Sequence, residues 1–128
     1  MQAIGAGVNH VGMIPRFLGR FDLDYFPAAM PYTFADEEAL DSECQLCEAR
    51  GVYVVTGSVF ACGLLADSEN PAAQYDYRQP TEEERARVRR IRVACARHDV
   101  SITAAVLQFP LAHPLVKTVI PGAGTAGS

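Results

Sequence analysis

The 128-residue chain predicts an α/β fold built on a parallel sheet, and three observations carry that expectation. Short β-branched runs alternate with stretches of helical periodicity, an order that makes consecutive strands parallel and joins them by right-handed crossovers. Val52 to Thr56 is a β-branched run bounded by glycines, and Val116 to Ile120 is a second, stopped by Pro121. Both faces of the strands are apolar, as a parallel sheet requires when both are covered.

Each element has its own justification. Ala3 to Val8 (AIGAGV) is expected to be a short strand whose glycines admit close backbone approach. Asn9 follows as an N-cap, with Val11, Ile14 and Leu18 at helical spacing. Pro15 falls in the early turns, where a missing N–H costs least. Asp24 to Met30 is a second strand, interrupted by Pro27 and closed by Pro31. Asp36 caps the next helix and Glu37 and Glu38 suit its positive end. Leu40, Cys44 and Cys47 form its apolar stripe, Arg50 its last turn, and Gly51 its C′ residue. After the strand from Val52 to Thr56, no periodicity survives between Gly57 and Pro80, and loops that long are usually functional or mobile.

Thr81 and Glu84 make a T-x-x-E capping box. The helix they open carries Val88, Ile91 and Cys95 on one face and runs to His98. Ala104, Ala105, Val106, Leu107, Phe109 and Leu111 are too continuously apolar for a surface helix, which predicts a short buried one. A turn at His113-Pro114, the strand from Val116 to Ile120 and the bare loop Pro121-Gly122-Ala123-Gly124 complete the order β-α-β-α-β-loop-α-α-β. Three crossovers of one hand put the helices on one side, and four strands supply half of an eight-stranded barrel. The chain reads as half of a closed object.

Bulk properties narrow the function. A hydrophobic share of 49%, a charged share of 20% and a net charge of −4 describe a soluble globular protein and disfavour nucleic acid or an anionic membrane as partner. There is no signal-peptide pattern, no apolar run near membrane-spanning length, and four cysteines are too few for a disulfide scaffold. A cytoplasmic location is expected.

Several motifs admit two readings. Gly122 to Gly127 matches G-x-G-x-x-G after a strand, but the Rossmann fingerprint needs a following helix and a distant acid, and neither follows. A phosphate-binding loop at a barrel's last strand is the better reading. Cys44-Gln45-Leu46-Cys47 is a C-x-x-C placed late in its helix, which fits core cysteines over a redox or zinc pair. Arg85, Arg87, Arg89, Arg90, Arg92 and Arg97 share one helix and read as a solvated face. His10, His98 and His113 have no catalytic partner at a useful spacing, although His10 could face a pocket. The chain offers ligand-cradling loops and no evident proton donor or nucleophile.

Taken together, Ile4-Gly5-Ala6-Gly7-Val8-Asn9, Cys47-Glu48-Ala49-Arg50-Gly51-Val52 and Val59-Phe60-Ala61-Cys62-Gly63-Leu64-Leu65 resemble the aldo-keto reductase superfamily. Tyr75-Asp76-Tyr77, Ala105-Val106-Leu107-Gln108-Phe109 and Val119-Ile120-Pro121-Gly122-Ala123 extend the likeness, which is nearest to the sugar-oxidising branch of aldose dehydrogenases. The resemblance implies a partial (β/α)8 TIM barrel, strands five to eight, and NAD(P)-dependent hydride transfer at the carbonyl of a small carbonyl or sugar substrate. It implies coenzyme-binding roles for Asn9, at the nicotinamide carboxamide, and for Gly57, Ser58 and Phe60 after strand seven. Pro121, Gly122 and Ala123 would form the adenosine-phosphate loop. Gly57 replaces the usual stacking tyrosine, Ala29 replaces a common glutamine, and the lack of a lysine–arginine pair after Pro121 leans towards NAD. The family's catalytic tetrad belongs to the first four strands, so the chain alone is expected to be inactive, with self-association through its open sheet face as the alternative.

Overall fold

A computed structural model describes residues 2–29 and 43–122. The expectations for Met30, Pro31, Asp36, Glu37, Glu38, Leu40, Ala123 and Gly124 lie outside them. Three parallel strands form the sheet in the order β1 (Tyr25–Ala29), β2 (Tyr53–Gly57), β3 (Val116–Ile120). A 3₁₀ turn at Val11–Met13 leads into α1 (Ile14–Leu18), and α2 (Glu43–Arg50) joins β1 to β2. After β2 come a long loop, α3 (Glu82–Arg97), α4 (Ile102–Gln108), and a 3₁₀ turn at Pro110–Ala112 before β3.

The expected first strand is only a partial one. Isolated bridges pair Gly5 with Tyr25 and Val8 with Ala28. Ala6 N donates to Tyr25 O, Val8 N to Pro27 O and Ala29 N to Val8 O. The next rung of a parallel ladder would run from residue 27 to the Ala6 carbonyl, and Pro27 has no N–H to give. One missing rung leaves an edge of bridges where alternation suggested a strand.

The sheet covers one face only, contrary to the expectation of two. Phe26 and Thr56 are fully buried, and Ala28, Val54 and Val116 nearly so, whereas Tyr53 is 47% and Ile120 58% exposed. Ile14 and Leu18 of α1 and Cys44 and Cys47 of α2 pack on the covered face around Phe26. A second cluster joins Val59, Ala61, Leu64 and Leu65 of the loop to Val88 of α3 and Val106 of α4, with Val119 against it. The register slips between Val54, which faces Val116, and Val55, which faces Thr118. This bulge leaves Lys117 with its ammonium 4.8 Å from the centre of the Tyr53 ring on the open face.

Two helices end and begin as their sequences require. Thr81 caps α3, its hydroxyl accepting from Glu84 N while the Glu84 carboxylate accepts from Thr81 N at 2.7 Å. Gly51, at φ +66, turns the chain out of α2, and Val52 N donates to Cys47 O. Two expectations are corrected. Asn9 does not cap α1, since Met13 is the N-cap and bears no side-chain cap bond. In α4 only Val106 is buried, and Leu111 beyond it is 46% exposed, so this helix covers a core with one side rather than lying inside one.

Candidate functional site

Strands in a parallel sheet all end on one side, so the loops that leave them converge there. Here they border an open groove of about 1520 Å³. Asn9 follows the partial first strand, Ala29 ends β1, Gly57, Ser58 and Phe60 leave β2, and Pro121 and Gly122 leave β3, all on the groove lining. Six of the seven residues singled out from the sequence thus meet at one site, and Ala123 lies outside the described residues. Three of them, Asn9, Pro121 and Gly122, are exposed.

Val8, Ala28, Val55 and Leu107 give the groove apolar patches, and Asn9, Ser58, Asn70 and Thr103 give it polar groups without charge. Asp67 is the one carboxylate on the lining among the described residues. A Cβ added at Gly7 or Gly122 would meet no protein atom within 4 Å, so these glycines leave space that a ligand can use. An apolar wall with a few convergent polar groups suits a planar, partly polar ligand, and the volume exceeds the roughly 300–1,000 Å³ of a compact small-molecule pocket.

The loop after β2 is held by burial and by its own backbone bonds. Ser58, Ala61 and Cys62 all adopt positive φ, between 48 and 54. Each such non-glycine conformation costs on the order of 1–2 kcal/mol. Burial of Val59, Ala61, Leu64 and Leu65 opposes that cost, together with bonds from Ala61 N to Ser58 O and from Leu65 N to Phe60 O. The long non-periodic stretch is therefore an ordered wall of the groove.

The chemistry-bearing candidates elsewhere are resolved. No tyrosine, histidine or lysine lines the groove among the described residues. His10 is exposed and off the lining, and His98 is the C-cap of α3. Cys44 and Cys47 are buried, and burial, with Glu43 nearby, pushes both thiols up, Cys47 to about 11. A thiol kept protonated is a poor nucleophile and metal ligand. No group of three or more potential metal-binding side chains occurs among the described residues, and no helix there is long and apolar enough to cross a membrane.

Arg87, Arg90, Arg92 and Arg97 of α3 are exposed, as a solvated face requires, and three arginines of the helix also reach the neighbouring loop. Arg85 Nη1 donates to Ser68 O, Arg92 Nη2 to Ala66 O at 3.0 Å, and Arg89 Nη1 to the Glu69 carboxylate at 3.3 Å. Asp67, Asn70, Thr103 and Leu107 are lining residues that sequence reasoning missed. The i, i+4 spacing of Thr103 and Leu107 would have placed them on one helix face, but nothing in the sequence says which way that face turns.

The chain is similar to known proteins over nearly all of its length. The chain is 36% identical over 123 residues to a D-threo-aldose 1-dehydrogenase of Pseudomonas sp, covering 95% of the chain and 37% of that relative. It is 31% identical over 122 residues to a pyridoxal 4-dehydrogenase of Microbacterium luteolum, covering 95% of the chain and 36% of the relative. The chain spans little more than a third of the length of these relatives. The model of the Aldo/keto reductase family matches residues 29–127, most of the chain, and on that match the chain belongs to the aldo/keto reductase family.

Proposed function

We propose that these residues are strands five to eight of an aldo/keto reductase barrel and carry part of a nicotinamide-coenzyme site. The observation that carries this is the meeting of Asn9, Gly57, Ser58, Phe60, Pro121 and Gly122 on one groove at the C-terminal ends of the strands. In this reading the Asn9 amide, which can donate and accept at once, holds the nicotinamide carboxamide. Ser58 and the bare backbone at Gly57 and Gly122 border the pyrophosphate path, with Pro121 and Ala123 in the adenosine-phosphate loop. Phe60 adds its apolar edge to the wall. The bound coenzyme supplies a hydride acceptor or donor for a carbonyl carbon.

NAD is favoured over NADP because the lining offers no lysine or arginine for a 2′-phosphate among the described residues, and Asp67 would repel one. The substrate is a small carbonyl compound of the sugar class, in line with a relative named for an aldose. A proton must move as the hydride does, and no tyrosine, histidine or lysine lines the groove among the described residues, so the chain by itself binds coenzyme without turnover. Titrating NADH into the purified chain, followed by nicotinamide fluorescence, tests binding. Adding NAD and an aldose and watching the nicotinamide absorbance tests turnover. Absence of binding defeats the coenzyme reading, and steady turnover defeats the inactive reading.

The open sheet face supports a second reading. Tyr53 and Ile120 are about half exposed there beside Val55, a face suited to covering by a second copy of the chain. Sedimentation velocity at micromolar concentration separates the readings, since a stable monomer contradicts self-association.

A further inference from the structure

Arg85, Arg89 and Arg92 stand at i, i+4 and i+7 on α3 and so share one stripe of the helix. That stripe runs beside Val88 and Ile91, which pack on the second core cluster, so the guanidinium stems start from a fixed base. All three reach one short segment, residues 66–69. Arg89 also donates to the Glu82 carboxylate in the first turn of its own helix, which holds its fork in place.

The targets matter more than the number of bonds. Two of the three are main-chain carbonyls, those of Ala66 and Ser68, and Ser68 is only 2% exposed. A helix that bonds carbonyls fixes the path of a segment rather than the identity of its side chains. Ala66 and Asp67 of this segment, and Asn70 just after it, line the groove. Asp67 Oδ1 accepts from Glu69 N and Asn70 Oδ1 from Ala72 N, which sets both side chains relative to that path. The segment has no strand or helix of its own to order it.

We infer that Arg85, Arg89 and Arg92 are positioning residues for the ligand groove, acting from behind its wall to hold the 66–69 segment in its ligand-accepting path. The inference rests on the reading of the groove as the coenzyme site. A guanidinium suits the task because its planar fork gives several directed donors and stays charged at every physiological pH. Lysine, with a compact ammonium, keeps the charge and has three donors but loses the planar fork.

The test uses the full chain, NADH as probe, and amide hydrogen exchange with and without it. The variant R85A/R92A removes both carbonyl anchors, and R92A alone removes the exposed one and keeps the fold safe. Faster exchange at residues 66–70 with unchanged exchange in α3, together with NADH affinity weakened by about tenfold or more, is the expected result. R85K/R92K should recover part of the affinity. Measuring each variant well below its own melting temperature separates this from general destabilisation. A variant that binds NADH as tightly as the parent overturns the inference, and so does unchanged exchange at 66–70. Failure of the parent chain itself to bind NADH defeats the coenzyme reading instead, while the exchange arm still decides whether the arginines hold the wall.

Discussion

The ring of Tyr25 occupies the place that a Cβ on Gly5 would need. An added Cβ would lie 2.6 Å from Cε2 of that ring and 2.8 Å from the Tyr25 carbonyl oxygen. The ring could turn away, but the carbonyl belongs to β1. Gly5→Ala should therefore cost about 1–3 kcal/mol, the usual range for overpacking, read from urea unfolding. Adding Tyr25→Ala should restore only part of the loss. Full restoration would show that the main chain was never in the way.

Thr56 carries a hydroxyl that is fully buried and has no hydrogen-bond partner among the described residues. An unmet buried polar group costs roughly 1–3 kcal/mol, and valine has almost the same shape. Thr56→Val should raise stability by about 1 kcal/mol at unchanged m-value. A loss of stability would mean that the hydroxyl is satisfied in solution.

Pro27 leaves one rung of the first ladder unmade. Pro27→Val supplies the N–H for the Ala6 carbonyl but also frees the unfolded chain, and these effects are both of order 1 kcal/mol and opposed. Net stability should hardly move. The readout is the new amide at position 27, which should exchange slowly, and fast exchange there would rule out the missing-rung account.

Glu84 is held down to about 2, chiefly by its paired bonds from Arg78 and further by Thr81. A carboxyl whose folded value lies below its unfolded one stabilises the fold above the unfolded value, and that contribution fades as pH falls towards 2. The parent should lose stability between about pH 4.5 and pH 2 more steeply than Glu84→Gln. Glutamine can keep the capping bond but not the charged pair, so the variant should be the less stable at pH 7 and the two should converge towards pH 2, while added salt should narrow the pH 7 gap because the pair is partly exposed. Identical acid limbs would dismiss the pairing.

Cys44 and Cys47 should resist a thiol reagent at pH 8 until the chain unfolds, while the half-buried Cys62 and Cys95 react first. Four equal rates would mean that α2 opens readily. Cys47→Ser should cost about 1–3 kcal/mol by placing a hydroxyl in an apolar site.

Local rules were legible wherever neighbours in sequence are neighbours in space. The capping box at Thr81 and Glu84, the C′ role of Gly51 and the limits of β3 follow from chemistry within a few residues. Asn9, Gly57, Ser58, Phe60, Pro121 and Gly122, which line one groove, were named through the family resemblance, since residue type and spacing alone do not mark them. What failed was set at long range. Pro27 weakens a strand about 20 residues earlier, visible only once the ladder direction is known. The anchoring of the arginine stripe went unread because its partners at Ala66 and Ser68 are carbonyls, which every residue has and no sequence pattern marks.

The slip at Lys117 works like a change of parity. Without the extra residue, odd and even positions of β3 would keep their sides, and Thr118 and Ile120 would point into the core while Val119 looked out. With it, Val119 turns inward and Ile120 reaches the groove. An insertion or deletion in this strand would therefore be felt less where it occurs than at its far end, where the rim of the ligand groove would exchange an isoleucine for a valine.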